Sequence, residues 1–137
     1  MIDTVLVPFD GTEHAESAVE YVGAVFPDRT VVLLTVIDPV DGFAAYDGPD
    51  GGNWREQART RAEELLGTQR STLPADTAVE TVVTVGNPPE TIAEAVETHD
   101  ADQIVIGSHG RSGIRRVLVG SVAEHVARSV SVPTTIV

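Results

Sequence analysis

The chain has 137 residues, 42% of them apolar, and a mean hydropathy of +0.04, so one globular domain spanning residues 1–137 is expected. It contains no cysteine, which excludes disulfides, thiolate metal sites and cysteine nucleophiles together. Its 21 acidic residues outweigh nine basic ones, all arginine; the net charge of −12 argues against binding nucleic acid or an anionic membrane, and suits solubility at high salt, where self-repulsion is screened.

No apolar run approaches the roughly 18 residues of a membrane span. The chain opens on a strand pattern rather than a secretory leader, so a cytoplasmic location is expected. Thr4-Val5-Leu6-Val7 reads as a buried strand ending at Pro8. The turn Phe9-Asp10-Gly11-Thr12 leads into a helix with apolar residues at Ala15, Ala18, Val19, Val22, Val25 and Phe26, a single stripe stopped by Pro27-Asp28. Thr30 to Ile37 is almost uniformly apolar and β-branched, the mark of a strand buried on both faces of a parallel sheet.

Asp38 to Asn53 is rich in turn formers and acid, and a stretch of this length is either functional or disordered. Phe43 and Tyr46 within it either cover a planar ligand or pack the loop onto the domain. Asn53 is expected to cap the next helix, with Glu56 at its third position and Trp54, Ala58, Ala62, Leu65 and Leu66 as a buried stripe. Trp54 is read as core. Ala78 to Val85 is a third strand whose Glu80 and threonines suit a sheet edge. Asn87-Pro88-Pro89-Glu90 then carries a helix start: cap, proline at the first helical position, acid at the third. That helix bears Ile92, Ala95 and Val96 and fades at His99-Asp100.

Gln103 to Ile106 is a fourth strand, and it runs abruptly into Gly107-Ser108-His109-Gly110-Arg111-Ser112-Gly113. A further helix opens at Ser121 after Gly120, with Val122, Val126 and Val130 on one side. Pro133 to Val137 is the last strand. A buried strand ending in glycines and feeding a helix N-terminus is suited to holding an anion, because glycine admits a close ligand and the first helical amides point at it.

Strands alternating with helices imply an α/β fold: a single-domain, open, parallel five-stranded sheet with right-handed crossovers and helices on both faces. The strand order is either 2-1-3-4-5 or the Rossmann-like 3-2-1-4-5. The polar clusters Asp10-Gly11-Thr12 and Gly107 to Gly113 share a site only if strands one and four are neighbours. That favours 3-2-1-4-5, with the ligand crevice between those two strands.

Val5-Leu6-Val7-Pro8-Phe9-Asp10-Gly11-Thr12, followed by Gly107-x-x-Gly110-x9-Gly120-Ser121, resembles the universal stress protein family of the ATP-binding kind. The resemblance extends to Val85-Gly86-Asn87-Pro88 and Ser131-Val132-Pro133, and so covers essentially the whole chain. It implies an adenine nucleotide (ATP, or ADP or AMP) held by Pro8, Asp10, Val36 or Ile37, Gly107, His109, Gly110, Arg111, Gly120, Ser121 and Val122. The glycine loop and helix start would take the phosphates, and the end of the second strand would read adenine through its backbone. Thr12 stands where the family more often has serine.

The same residues have readings of their own. Arg111, Arg115 and Arg116 cluster beside the expected cradle, where a guanidinium makes charge-assisted contacts; Arg111 is assigned the anion role. Asp10 either orders the Asp-Gly turn or holds a ribose hydroxyl or a nucleotide-bound Mg²⁺. Ser121-Val122-Ala123-Glu124 is also a capping box, so Ser121 either caps its own helix or serves a phosphate. His109 lines the loop or faces solvent. His14, His99 and His125 lack metal-ligand spacing and are read as structural or exposed.

The Walker pattern is absent, and without lysine its phosphate lysine has no counterpart. Three functions remain open. A regulatory ATP-binding module is what the resemblance implies; a slow, partner-dependent ATPase and a nucleotide-free interaction module are the alternatives. No evident general base is present for hydrolysis. A homodimer through strand 133–137 is expected, since an uncovered edge invites pairing, and the resemblance implies the same.

Overall fold

The strands form where the sequence is most apolar: β1 (Thr4–Pro8), β2 (Thr30–Ile37), β3 (Ala78–Val85), β4 (Gln103–Ile106) and β5 (Thr134–Ile136). Between them lie α1 (Glu13–Val25), α2 (Trp54–Thr72), α3 (Pro88–Thr98) and α4 (Ser121–Ser129). The computed structural model describes residues 3–40, 54–108 and 120–137. Asn53, Phe43, Tyr46, His109, Gly110, Arg111, Arg115 and Arg116 fall outside them, as do the readings that rest on those residues.

The sheet is parallel throughout, in the order β3-β2-β1-β4-β5. Strand alternation divides its side chains between two cores. Val5, Val7, Val31, Leu33 and Val105 face Ala15, Ala18, Val19 and Val22 of α1 and Leu66 of α2. Leu6, Val32, Leu34, Ile104 and Ile106 face Ile92, Ala95 and Val96 of α3 and Ala123 and Val126 of α4. The three central strands are therefore covered on both sides, which accounts for their unbroken apolar runs. β3 is only partly buried along its length, as an edge strand with Glu80 requires.

Local chemistry sets the helix ends. Thr12 caps α1, its hydroxyl accepting from Ala15 N–H at 3.2 Å, and Asn87 caps α3, its side chain accepting from Glu90 N–H at 3.4 Å. α3 ends with Asp100 in the left-handed region (φ 50°), and the chain turns back as Ala101 N–H bonds Val96 carbonyl at 2.9 Å. Trp54 is half-buried rather than a core residue, and the Arg55 guanidinium stacks 5.3 Å from its ring centroid.

At the amino end of the sheet, Asp102 closes the start of β1 onto the approach to β4. One carboxylate oxygen accepts the backbone N–H of Asp3 at 2.9 Å and of Thr4 at 3.0 Å. The Thr4 and Asp3 amides hold the Asp102 carboxyl below its ordinary range. A lowered native pKa means the stabilisation is fully present above the unfolded carboxyl's value, about pH 4, and is lost as pH falls through the native value. Asp102→Asn is expected to be less stable than the parent at pH 7 and to approach it as pH drops below 4. Urea unfolding at the two pH values measures the narrowing gap.

Candidate functional site

The carboxyl end of the sheet is where β1 and β4 part company. β1 follows β2 in register from Thr4↔Thr30 to Pro8↔Leu34, and Phe9 N–H continues the ladder to Leu34 carbonyl at 2.7 Å. With β4 the recorded register is Val5↔Gln103 and Leu6↔Ile104. β4 instead runs on with β5: Val137 N–H donates to Ile106 carbonyl (2.9 Å) and Ser108 N–H to Val137 carbonyl (2.8 Å). Each strand keeps its outer neighbour, and the point of reversal in the strand order, where sheets of this kind take their ligands, lies between them.

Two polar turns enter that opening. After buried Pro8 and Phe9, the half-buried Asp10 accepts at one oxygen both the backbone N–H (3.0 Å) and the hydroxyl (2.6 Å) of Thr12. This is the Asx-type turn that the Asp-Gly-Thr sequence encodes, and Gly11 within it has φ +86°, a conformation open to glycine at little cost. Thr35 of β2 ties the same turn from the other side, its hydroxyl donating to Phe9 carbonyl at 2.9 Å. Val36, half-buried, and Ile37, buried, follow at the end of β2.

The second turn leaves β4 at Gly107, which is buried against the first turn of α1. A Cβ there would lie 2.7 Å from His14 carbonyl carbon, 2.8 Å from its oxygen and 2.9 Å from Ala15 nitrogen, all backbone atoms that cannot yield. Ser108 follows, with its Oγ 3.5 Å from His14 Nδ1. Its carbonyl accepts the N–H of Gly120, so the chain that leaves at Ser108 is fastened where it returns. His109, Gly110 and Arg111 lie in the intervening stretch, outside the described residues.

α4 begins at that fastening, and here the structure corrects the sequence reading. Gly120, not Ser121, is the cap residue (φ −68°, ψ 157°), and Ser121 is the first helical residue, exposed to solvent. The bond from Gly120 N–H to Ser108 sets the turn into the helix one residue earlier than the capping-box pattern suggests. Among the described residues no side chain caps α4, and Glu124 reaches forward to Arg128 at 2.8 Å instead of back to Ser121. Val122 is half-buried against the α3–α4 core. Thus Pro8, Asp10, Val36, Ile37, Gly107, Gly120, Ser121 and Val122 all gather at the carboxyl end of neighbouring strands β2, β1 and β4 or at the helix that follows β4.

Electrostatically the two helix starts differ. α1 carries Glu13 and Glu16 in its first turn beside the Thr12 cap, so its own carboxylates complement the positive end of its dipole. α4 has one acid there, Glu124, paired to Arg128. Of the histidines, His99 lies 3.8 Å from Glu80 and His125 is exposed, as read from the sequence; His14 alone among the described ones faces this opening.

The profile of the universal stress protein family matches residues 1–137. The chain belongs to the universal stress protein family. Its relatives include universal stress protein MJ0577 of Methanocaldococcus jannaschii, 29% identical in an alignment covering all of this chain and 95% of that protein. The solved structure of MJ0577, from a study assigning biochemical function to a hypothetical protein, superposes with a TM-score of 0.87 over 100% of this chain and 96% of that one, at 28% identity. A universal stress protein solved in complex with cAMP gives 0.69 at 25% identity, covering 99% and 96% of the two chains. The Arabidopsis thaliana family protein solved with AMP bound shares the fold at 15% identity, with a TM-score of 0.66 over 98% of this chain and 90% of that one.

Because backbone meets backbone at Gly107, Gly107→Ala is expected to cost this universal stress protein about 1–3 kcal/mol by forcing α1 away from β4. Chemical denaturation of the variant against the parent measures the loss.

Proposed function

We propose that this chain is a regulatory module that binds an adenine nucleotide, ATP in the first place, in the opening between β1 and β4. One observation carries the reading: α4 starts at the switch point on a glycine, with no side-chain cap among the described residues, directly beside glycine-terminated β4. The amides of a first helical turn and the positive end of a helix dipole suit a phosphate. The cAMP and AMP found in related structures support an adenine nucleotide as the occupant.

In this reading Gly107, Gly120, Ser121 and Val122, with His109, Gly110 and Arg111, hold the phosphates, and exposed Ser121 is left to serve a phosphate rather than its own helix. Of Val36 and Ile37, Val36 is the one to offer backbone groups to adenine beyond the end of β1, since the Ile37 carbonyl accepts Gly86 N–H at 3.0 Å on the β3 side, and Pro8 forms the floor. Asp10, with one oxygen engaged by Thr12, orders the turn that faces the ribose. Among the described residues no three His, Asp or Glu side chains gather as a metal site, so Mg²⁺ would arrive with the nucleotide. The acidic, lysine-free composition supports a salt-adapted setting for this binding.

Nucleotide released by acid from freshly purified protein, separated by chromatography, is expected to contain ATP or ADP, and a Gly110→Val variant is expected to release none. An empty parent protein with no thermal shift on adding Mg-ATP in molar KCl would overturn the reading in favour of an interaction module.

We also propose that β5 pairs with β5 of a second copy. Pro133 and Val137 direct their backbone groups at β4, so those of Thr134 and Ile136 point away from the sheet, and the Ile136 side chain is 37% exposed. Light scattering is expected to give twice the chain mass, falling to one chain in Ile136→Pro, which loses an outward N–H without touching the β4 ladder.

A further inference from the structure

We propose that His14 is a positioning residue for the phosphate end of the nucleotide, acting through Ser108. This rests on the nucleotide reading above and extends it to a side chain that the spaced glycine pattern does not contain. Ser108 is a junction of three elements. Its N–H is bound to Val137 at the end of β5, and its carbonyl to Gly120 at the start of α4. Its hydroxyl faces His14 Nδ1, 3.5 Å away, on the first turn of α1.

The two backbone bonds fix Ser108 to elements on the β5 side of the opening. The His14 contact ties it across to the β1–α1 side. Gly107 makes this reach possible: its lack of a side chain lets the backbone of His14 and Ala15 approach the end of β4 directly. The imidazole is therefore carried on a rigid helix already seated against the residue before Ser108. A distance of 3.5 Å is the long limit of a hydrogen bond. A phosphate drawn between Gly107 and the start of α4 pulls the same junction, so the bond that holds Ser108 to α1 sets how well the cradle keeps its shape. The adenosine end, on the β2 side, does not depend on it.

Calorimetric titration with ATP and with adenosine tests this on the parent, His14→Ala, His14→Asn, Ser108→Ala and the double alanine variant, with ligand-free melting as the check on folding. His14→Ala is expected to weaken ATP about five- to ten-fold and leave adenosine unchanged. His14→Asn is expected to restore ATP binding, because the asparagine amide reaches the position of Nδ1. Ser108→Ala is expected to match His14→Ala, and the double variant to lose no more than either, the signature of one shared interaction. Equal loss of ATP and adenosine, no loss, or failure of His14→Asn to rescue would overturn the proposal while leaving the nucleotide reading standing. A parent protein that binds neither ligand would overturn both.

Discussion

β1 has two parallel neighbours, and only one of them stays with it to the end. Its ladder to β2 continues past Pro8 through Phe9, whereas β4 turns its last hydrogen bonds toward β5. The strand order also reverses between β1 and β4, and a ligand crevice in a sheet of this kind lies at that switch point, beyond the carboxyl ends of the strands. The turn after β1 and the turn after β4 are then forced to face each other. Gly107 determines how closely, since the first turn of α1 rests on its bare α-carbon.

Much of this was legible in the residues. The almost uniformly apolar run Thr30–Ile37 gave burial on two faces, and hence parallel strands covered by helices. The strand order followed from requiring that two polar clusters, nearly a hundred positions apart, share one site. Local signals at Asn87 and at Asp10-Gly11-Thr12 were equally readable, because the partners lie within a few residues. Ser121 was not. Its pattern is a good capping box, but the helix start is set by Gly120 bonding to Ser108, a contact that local spacing cannot report. His14 is the same case: its partner is 94 positions away, brought close by sheet topology alone. Trp54 misled by hydrophobicity; its ring lies half-buried at a helix start, under an arginine.

The acidic residues show a further economy. Asp102, Asp10 and Asp38 all accept backbone N–H groups, at 2.9–3.0 Å, near the ends of strands. A carboxylate engaged in this way needs no arginine, which matters in a chain with 21 acids and nine bases. Such bonds lie within one turn or one strand end, where they are short and less exposed to screening than a long-range ion pair. The fold thus uses negative charge as local fastening.

The bond between Gly120 and Ser108 bypasses the long connection that joins them in sequence. Ser108 and Gly120 therefore answer to each other directly: a change at the end of β4 is felt at the first turn of α4 through one bond rather than through the chain between them. The sheet and the helix that follows it are coupled at that point, so the end of β4 and the start of α4 shift together.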